Sequence, residues 1–292
     1  MAADRHLTFD VDRVYREVDH AVESPLPRGD VTDGVVRVGD TVRRPHQPQS
    51  PAVAAYLDHL ETVGFDGSPR YLGRDAQGRD VLTYLPGDVA GDPPEPWAAD
   101  LDLLASVAAF VRRLDDASAG FAADRDFRPF PGAVWRPDLV RVDLPFSTPE
   151  PELITHLDVT PQNVVVRAGR AVGLVDFDLA RPTTWLHSMH NVALHWVPLR
   201  DPADIWPTWP DTDQLARLRV VADSYGLTDE QRAEFPGLAI QHAEVSYLSM
   251  KVSAEQLGGG WQRMWDEGVG ALILRRRDWL LDHRDDVAAA VA

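Results

Sequence analysis

Apolar and polar residues change rhythm several times along the chain, and each change marks an element. Val35-Val36-Arg37-Val38 and Thr41-Val42-Arg43 flank Gly39-Asp40. A Gly-X dipeptide between two short β-branched runs predicts a hairpin closed by a type II′ turn. Ser50-Pro51 reads as an N-cap followed by proline at the first helical position, and Val53, Leu57, Leu60 and Val63 keep the spacing of one helix face up to Gly64. The run Asp80-Val81-Leu82-Thr83-Tyr84-Leu85 predicts a strand that Pro86-Gly87 stops. The first thirty residues carry little periodicity and end in the turn-rich stretch SPLPRGD. Residues 31–86 therefore read as strands around one helix.

The pattern shifts at GDVAGDPPEP (residues 87–96), which has the proline and glycine density of a linker. From Trp97 the rhythm is helical, with Leu101, Leu104, Ala108, Val111 and Leu114 on one face. Residues 120–150 are proline-rich and read as loop. Two short apolar strands follow, Val164-Val165-Val166 and Val172-Gly173-Leu174-Val175, joined by a tight Ala168-Gly169-Arg170 turn. Everything beyond reads as helix. One helix runs from Thr212 to a stop at Gly226, and Thr228-Asp229-Glu230-Gln231 is a capping box opening the next. Gly258-Gly259-Gly260 separates the last two long helices.

Composition narrows the class. At 292 residues, 44% hydrophobic and 26% charged, the chain can bury a core and has room for two units, here 1–86 and 87–292. With no cysteine, a disulfide scaffold, a thiol nucleophile and a thiolate metal site are excluded. There is no long apolar run for a membrane span, and MAADRHLTFD lacks the basic and apolar regions of a signal peptide, so a cytoplasmic protein is expected. The formal charge of −17 repels nucleic acid and admits a cationic small molecule as partner. Lys251 is the only lysine.

The densest chemistry surrounds the central hairpin: His156-Leu157-Asp158, Asn163, and Asp176-Phe177-Asp178. A short hairpin brings both strand ends together, so Asn163 and Asp176 can face one point. One amide and one carboxylate oxygen suit Mg²⁺, which takes its remaining ligands from water and substrate phosphates. Asp158, without a metal duty of its own, can accept a hydroxyl proton. Each residue alone reads as a turn or cap; the joint spacing carries the assignment, and it matches phosphoryl transfer.

HLDVTPQN followed by GLVDFD resembles the HxDxxxxN…DFx signature of the aminoglycoside phosphotransferase and choline kinase group, small-molecule relatives of the protein kinases. The resemblance implies an α+β, two-lobed, protein-kinase-like fold, with a strand-rich nucleotide-binding N-lobe (1–86) and a mainly helical C-lobe (87–292) holding the catalytic hairpin. It implies transfer of the γ-phosphate of ATP or GTP, with Mg²⁺, to a hydroxyl of a small cationic acceptor such as an aminoglycoside-like antibiotic. By position, Asp158 resembles the catalytic base and Asn163 and Asp176 the metal ligands. His156 would hold the loop, Asp178 would support the metal or the loop, and Leu82, Thr83, Tyr84 and Leu85 would line the adenine slot through backbone groups.

The sequence departs from that pattern in the N-lobe. Relatives grip the phosphates with a strand lysine; here Arg43 in TVRRP is the best positional substitute, with Arg44 on the opposite strand face. The helix after Ser50 has no glutamate near Val53 where a partner would fall; Glu61 sits at its far end. Leu157 stands where relatives often have glycine. These departures leave a second reading open, a kinase-like fold that binds a nucleotide or ligand without transferring phosphate. A third is a metal-dependent hydrolase using His156, Asp158, Asp176 and Asp178. His187, His190 and His195 offer a weaker zinc site, and Trp196, Trp206, Trp209, Trp261 and Trp265 read as core or groove lining.

Overall fold

Five short antiparallel strands and one helix account for the first third of the chain in a computed structural model, which describes residues 10, 13–16, 22–26, 34–121, 126–144, 148–209 and 212–292. The strands are β1 (Glu23–Pro25), β2 (Val36–Val38), β3 (Thr41–Arg44), β4 (Tyr71–Arg74) and β5 (Asp80–Thr83), ordered β1-β2-β3-β5-β4 in one sheet, with α1 (Ser50–Thr62) between β3 and β4. The predicted hairpin is β2–β3, with Val38 opposite Thr41. Gly39 takes φ 59° while Asp40 keeps a negative φ, as a type II′ turn requires. β1 and β4 were not foreseen, because Glu-Ser-Pro and Tyr-Leu-Gly-Arg lack an apolar alternation. In β4, Gly73 sits at φ 121° beside a register shift, with the Arg13 carbonyl 2.7 Å from where a Cβ would stand, so a side chain would collide with the backbone of residues 13–15. Residues 27–30 of SPLPRGD lie outside the described residues.

Helix α1 begins one residue earlier than the sequence suggested. Gln49 is the cap position and caps without its side chain, while Ser50 is already helical and its Oγ accepts from the Gln47 N–H at 3.0 Å. The stretch after the expected linker is also corrected at its start. A 3₁₀ turn, Pro96–Ala99, precedes α2 (Leu101–Ser118), whose cap is Asp100 accepting from the Leu103 N–H at 2.8 Å. Leu103, Leu104, Val107, Ala108, Phe110, Val111 and Leu114 of α2 are buried. At roughly 1.5–3 kcal/mol for each large side chain taken from water, this helix anchors the interior.

The central hairpin is β7 (Val164–Arg167) with β8 (Arg170–Leu174). Its turn is one residue tighter than expected: Ala168 and Gly169 alone form it, at φ 50° and 71°, and Arg170 pairs with Arg167. A second pair, β6 (Leu153–Thr155) with β9 (Arg181–Thr183), frames it on the sequence side, so the chain beyond the hairpin is not wholly helical. The helices that follow are α3 (Trp185–Trp196), α4 (Gln214–Tyr225), α5 (Asp229–Leu257), α6 (Gly259–Asp266), α7 (Val269–Asp282) and α8 (Arg284–Val291). The Thr228–Gln231 capping box forms reciprocally, and Gly226 at φ 80° ends α4 as its sequence signalled. The cap of α4 is Asp213, one residue beyond Thr212. The triple glycine separates α5 from a short helix, so three helices follow it instead of one. None of the described helices is long and apolar enough to cross a membrane.

Candidate active site

His156 is the fastening of the loop that carries Asp158. It is fully buried, and its two ring nitrogens are both committed: Nε2–H donates to the Val175 carbonyl at 2.8 Å, and Nδ1 accepts from the Asp158 N–H at 3.2 Å. This fixes one neutral tautomer, and burial lowers its pKa to about 4. The ring thus ties the loop before Asp158 to the residue before Asp176. With no nitrogen left over, it cannot ligate a metal, and among the described residues no group of three His, Cys, Asp or Glu could hold one. The hydrolase constellation is not formed.

The loop is held from a second side by α3. Asn191 accepts from the Val159 N–H at 2.8 Å and donates to the Leu157 carbonyl at 3.1 Å, while Trp196 Nε1–H donates to the Val159 carbonyl at 2.7 Å. Leu157 itself adopts φ 52°, a conformation that glycine takes without cost and a branched side chain does not. Asp158 is partly exposed, and Asn163 Nδ2 donates both to its carbonyl (3.0 Å) and to its carboxylate Oδ2 (2.9 Å). Asn163 thereby keeps its side-chain oxygen for other use. The Asn163 carbonyl accepts from the Val175 N–H at 2.9 Å, so Asn163 and Asp176 stand on adjoining strand ends, as the hairpin argument required. Asp176 is at φ 62°, its side chain 39% exposed, and such a strained non-glycine position is a mark of functional sites.

The two strand arginines separate. Arg44, on β3, donates to Asp176 at 3.3 Å and to Asp178, and burial of its guanidinium is outweighed by Asp178, Asp176 and Asp80, which raise its pKa. Arg43 points the other way, 3.7 Å from Asp75 and with its guanidinium 4.9 Å from the Tyr15 ring centre. The expectation that Arg43 reaches the site is therefore corrected; alternation along β3 sends its side chain to the opposite face, and Arg44 arrives instead. The carboxylate facing Arg44 comes from Asp178, on the turn after β8, and not from α1. A cleft next to this pair is lined by Arg44, Val53, Leu57, Tyr71, Leu82 and Asp176, so Val53 occupies the helix position where a glutamate was sought.

A third guanidinium was missed altogether. Arg136 lies on a 3₁₀ turn (Arg136–Leu139) inside the stretch read as loop, packed against the turn Phe177–Leu179. It is 9% exposed, lies 5.3 Å from the Trp261 ring centre, and donates through Nη1 to Gln47 Oε1 at 3.2 Å. Burial lowers its pKa, while Asp178 and Asp176 act in the opposite sense, which places its charge by the same carboxylates. Trp261 on α6 was the only sequence cue.

The adenine-slot residues divide too. Leu82 lines the cleft. The Thr83 N–H is spent on the Arg70 carbonyl (3.0 Å) and the Tyr84 N–H on the Asp40 carbonyl (2.8 Å), and the Tyr84 ring carries the Arg37 guanidinium at 3.8 Å. Those two donors are therefore unavailable to a base edge, and Leu85, packed on Gly173, is the position left. His187 and His190 gather with His242 of α5, not with His195: the His190 and His242 ring centres are 4.4 Å apart and those of His187 and His242 6.3 Å.

No protein-family model matches the chain. A curated relative, a trifolitoxin immunity protein of Rhizobium leguminosarum bv. trifolii, is 28% identical over 271 residues, covering 88% of this chain and 95% of its own. Among solved structures, a choline/ethanolamine kinase family protein from Mesorhizobium loti superposes with TM-score 0.53 at 18% identity, over 92% of each chain. An ethanolamine kinase of Plasmodium vivax gives TM-score 0.56 at 12% identity, over 91% of this chain and 83% of that one. An amicoumacin kinase in complex with AMP-PNP and Ca²⁺ gives 0.53 at 11%, over 89% and 88%. The arrangement of sheet, hairpin and helices is accordingly that of the protein-kinase-like fold found in the choline/ethanolamine kinases.

Proposed function

We propose that the chain is a phosphotransferase that moves the γ-phosphate of a nucleoside triphosphate to a hydroxyl of a small molecule. Residues 1–86 would hold the nucleotide and residues 87–292 the acceptor. Asp158 orients the acceptor hydroxyl and takes its proton; the oxygen bonds to the γ-phosphorus, and the bond to the β-phosphate oxygen breaks, releasing the nucleoside diphosphate. Arg44 and Arg136 bind phosphate oxygens. The side-chain oxygen of Asn163 and the half-exposed carboxylate of Asp176 form an oxygen donor set that fits Mg²⁺. A divalent ion bound there would neutralise phosphate charge.

The observation that carries this reading is the joint placement of Asp158, Asn163 and Asp176 beside a strand cation, with the loop fastened by His156 and Asn191. The absent lysine and helix glutamate do not leave a gap: an arginine and an aspartate stand in for them as a pair, Arg44 with Asp178. That replacement supports transfer over a fold that only binds. The name of the curated relative supports an antibiotic or toxin as acceptor.

The deciding experiment is phosphate transfer from radiolabelled ATP and GTP with Mg²⁺ by wild type and Asp158→Asn, beside AMP-PNP binding by both. Loss of a general base lowers turnover by about 10²–10⁴-fold while binding stays within a factor of three. Undiminished turnover in the variant would remove Asp158 from its role. Nucleotide binding with no transfer to any acceptor would favour the binding-only reading.

A further inference from the structure

The whole-chain charge of −17 suggests a cationic acceptor, but one of the groups of charge bordering the loop of Asp158 is cationic. Arg181 opens β9, the partner of the strand that leads into that loop, and interacts with the Asp158 charge. It also acts on His187 and His242, which lie with His190 between α3 and α5. Arg276 of α7 acts on His190 and His195, and Arg200 acts on His195 and Arg276. No carboxylate figures among the charges that act on His187, His190, His195 or Arg276. Asp204, which acts on Arg200, is held by Arg275 at 2.6 and 2.8 Å.

Three of these groups, His190, Arg200 and Arg276, are buried and each leaves a nitrogen unsatisfied, whereas His187 Nδ1 pairs with the Thr184 hydroxyl and His242 Nδ1 with the Ser246 hydroxyl. His190 is 4% exposed, Arg200 8% and Arg276 9%, and His190 Nδ1, Arg200 Nε and Arg276 Nε have no hydrogen-bond partner. Buried guanidinium groups without carboxylates are costly, and apolar side chains of the same size would pack there without that cost. Burial keeps the imidazoles neutral, so each carries one N–H, and at His190 the Nδ1 nitrogen has no partner. Guanidinium groups and neutral imidazole N–H groups converging without a counter-charge are what a carboxylate or phosphate needs.

We infer that the site between α3, α5 and α7, around His190, His242 and Arg276, binds an anionic group of the acceptor, a carboxylate or a phosphate, and so presents the acceptor's hydroxyl to Asp158. This rests on the phosphotransferase reading for the identity of the ligand as acceptor; the anion site itself does not. Arg181, interacting with both Asp158 and the histidines, is the bridge between the two.

The test is a thermal-shift titration of the full chain, with AMP-PNP and Mg²⁺ present so that the phosphate-binding arginines are occupied. The anionic probes are glutarate and inorganic phosphate, the cationic ones choline and neomycin, each against sodium chloride of equal ionic strength. Glutarate or phosphate should stabilise the wild type beyond the salt control, and whichever does so identifies the group as carboxylate or phosphate. Arg276→Gln should weaken that binding at least tenfold. His190→Phe, which keeps the ring volume and removes the donor, should weaken it as well and decides the matter if Arg276→Gln does not fold. Stabilisation by the cations alone, by no probe, or by anions equally in both variants overturns the inference. Failure of AMP-PNP to shift the wild type counts against the phosphotransferase reading and leaves the anion result standing on its own.

Discussion

Two buried groups of charge border the catalytic loop, and they are built on opposite terms. Around Asp176 and Asp178 the strand cation is paired with carboxylates: Arg44 bonds to both, while Arg136 lies beside them, bonds to Gln47 and leaves its Nε without a partner. Around His190 the cations Arg200 and Arg276 meet imidazoles and leave nitrogens unbonded. A third case shows that the fold can satisfy a lone charge when it has to. Asp115 is fully buried with no cation, yet it accepts from Thr155 Oγ1 and from the Tyr225 hydroxyl at 2.6 Å. Satisfied and unsatisfied charge therefore sit side by side in one interior.

The largest effect is expected from breaking the paired side. Asp178→Ala strands the Arg44 guanidinium with only half-exposed Asp176, and should cost about 3–5 kcal/mol in urea unfolding. A loss below 1 kcal/mol would mean that the pair does not hold the turn. Next comes Asp115, whose carboxyl burial pushes up to about 6 against an ordinary value of 3.8. Because the folded chain holds this proton more tightly than the unfolded one, the group's stabilising contribution is complete below pH 3.8 and is lost as pH rises through 6. The loss is about 3 kcal/mol at full ionisation. Asp115→Asn should remove this part of the slope when unfolding is compared between pH 4 and 7; identical slopes would show that Asp115 titrates normally.

Asn191→Ala, on the helix that carries His190, should cost about 2 kcal/mol, since it leaves the Val159 N–H and the Leu157 carbonyl without partners. Turnover should fall with it as the loop loses its register, and an unchanged melting curve would show that water replaces the amide. The smallest expected effect separates the neighbours on β3. Arg44→Met should weaken nucleotide binding about tenfold, the value of one charge-assisted contact, while Arg43→Met should leave it within a factor of two. Equal effects would erase the distinction between the two strand faces.

How far the sequence revealed this can be read from the same residues. The meeting of Asp158, Asn163 and Asp176 was legible because they lie at short separations around a tight hairpin, which leaves little freedom in where they meet. Helices with strong caps, such as the one opened by Thr228, were legible for the same local reason. Arg44 was half legible: alternation showed that Arg43 and Arg44 face opposite ways, but not which face the hairpin would meet. Arg136 and the His190–His242 contact were hidden, since residues 89 and 52 positions apart from their partners in the chain meet only after the interior has closed. β1 and β4 were hidden because sheet pairing, not their own side chains, makes them strands.

Residues 87–96, whose composition reads as a flexible connector, are sewn down. Asp88 exchanges two backbone hydrogen bonds with Val166, at 2.9 and 2.8 Å, the Ala90 N–H reaches the Pro161 carbonyl, and Gln162 reaches the Gly91 carbonyl. Gly87, at φ 151°, passes so close to Val165 that a Cβ would stand 2.5 Å from its methyl. Mechanically, this makes the joint a seam and not a hinge: swinging the sheet away from the hairpin would have to unzip that pairing. A protease added to the native protein will then find its proline- and glycine-rich stretch the wrong place to cut.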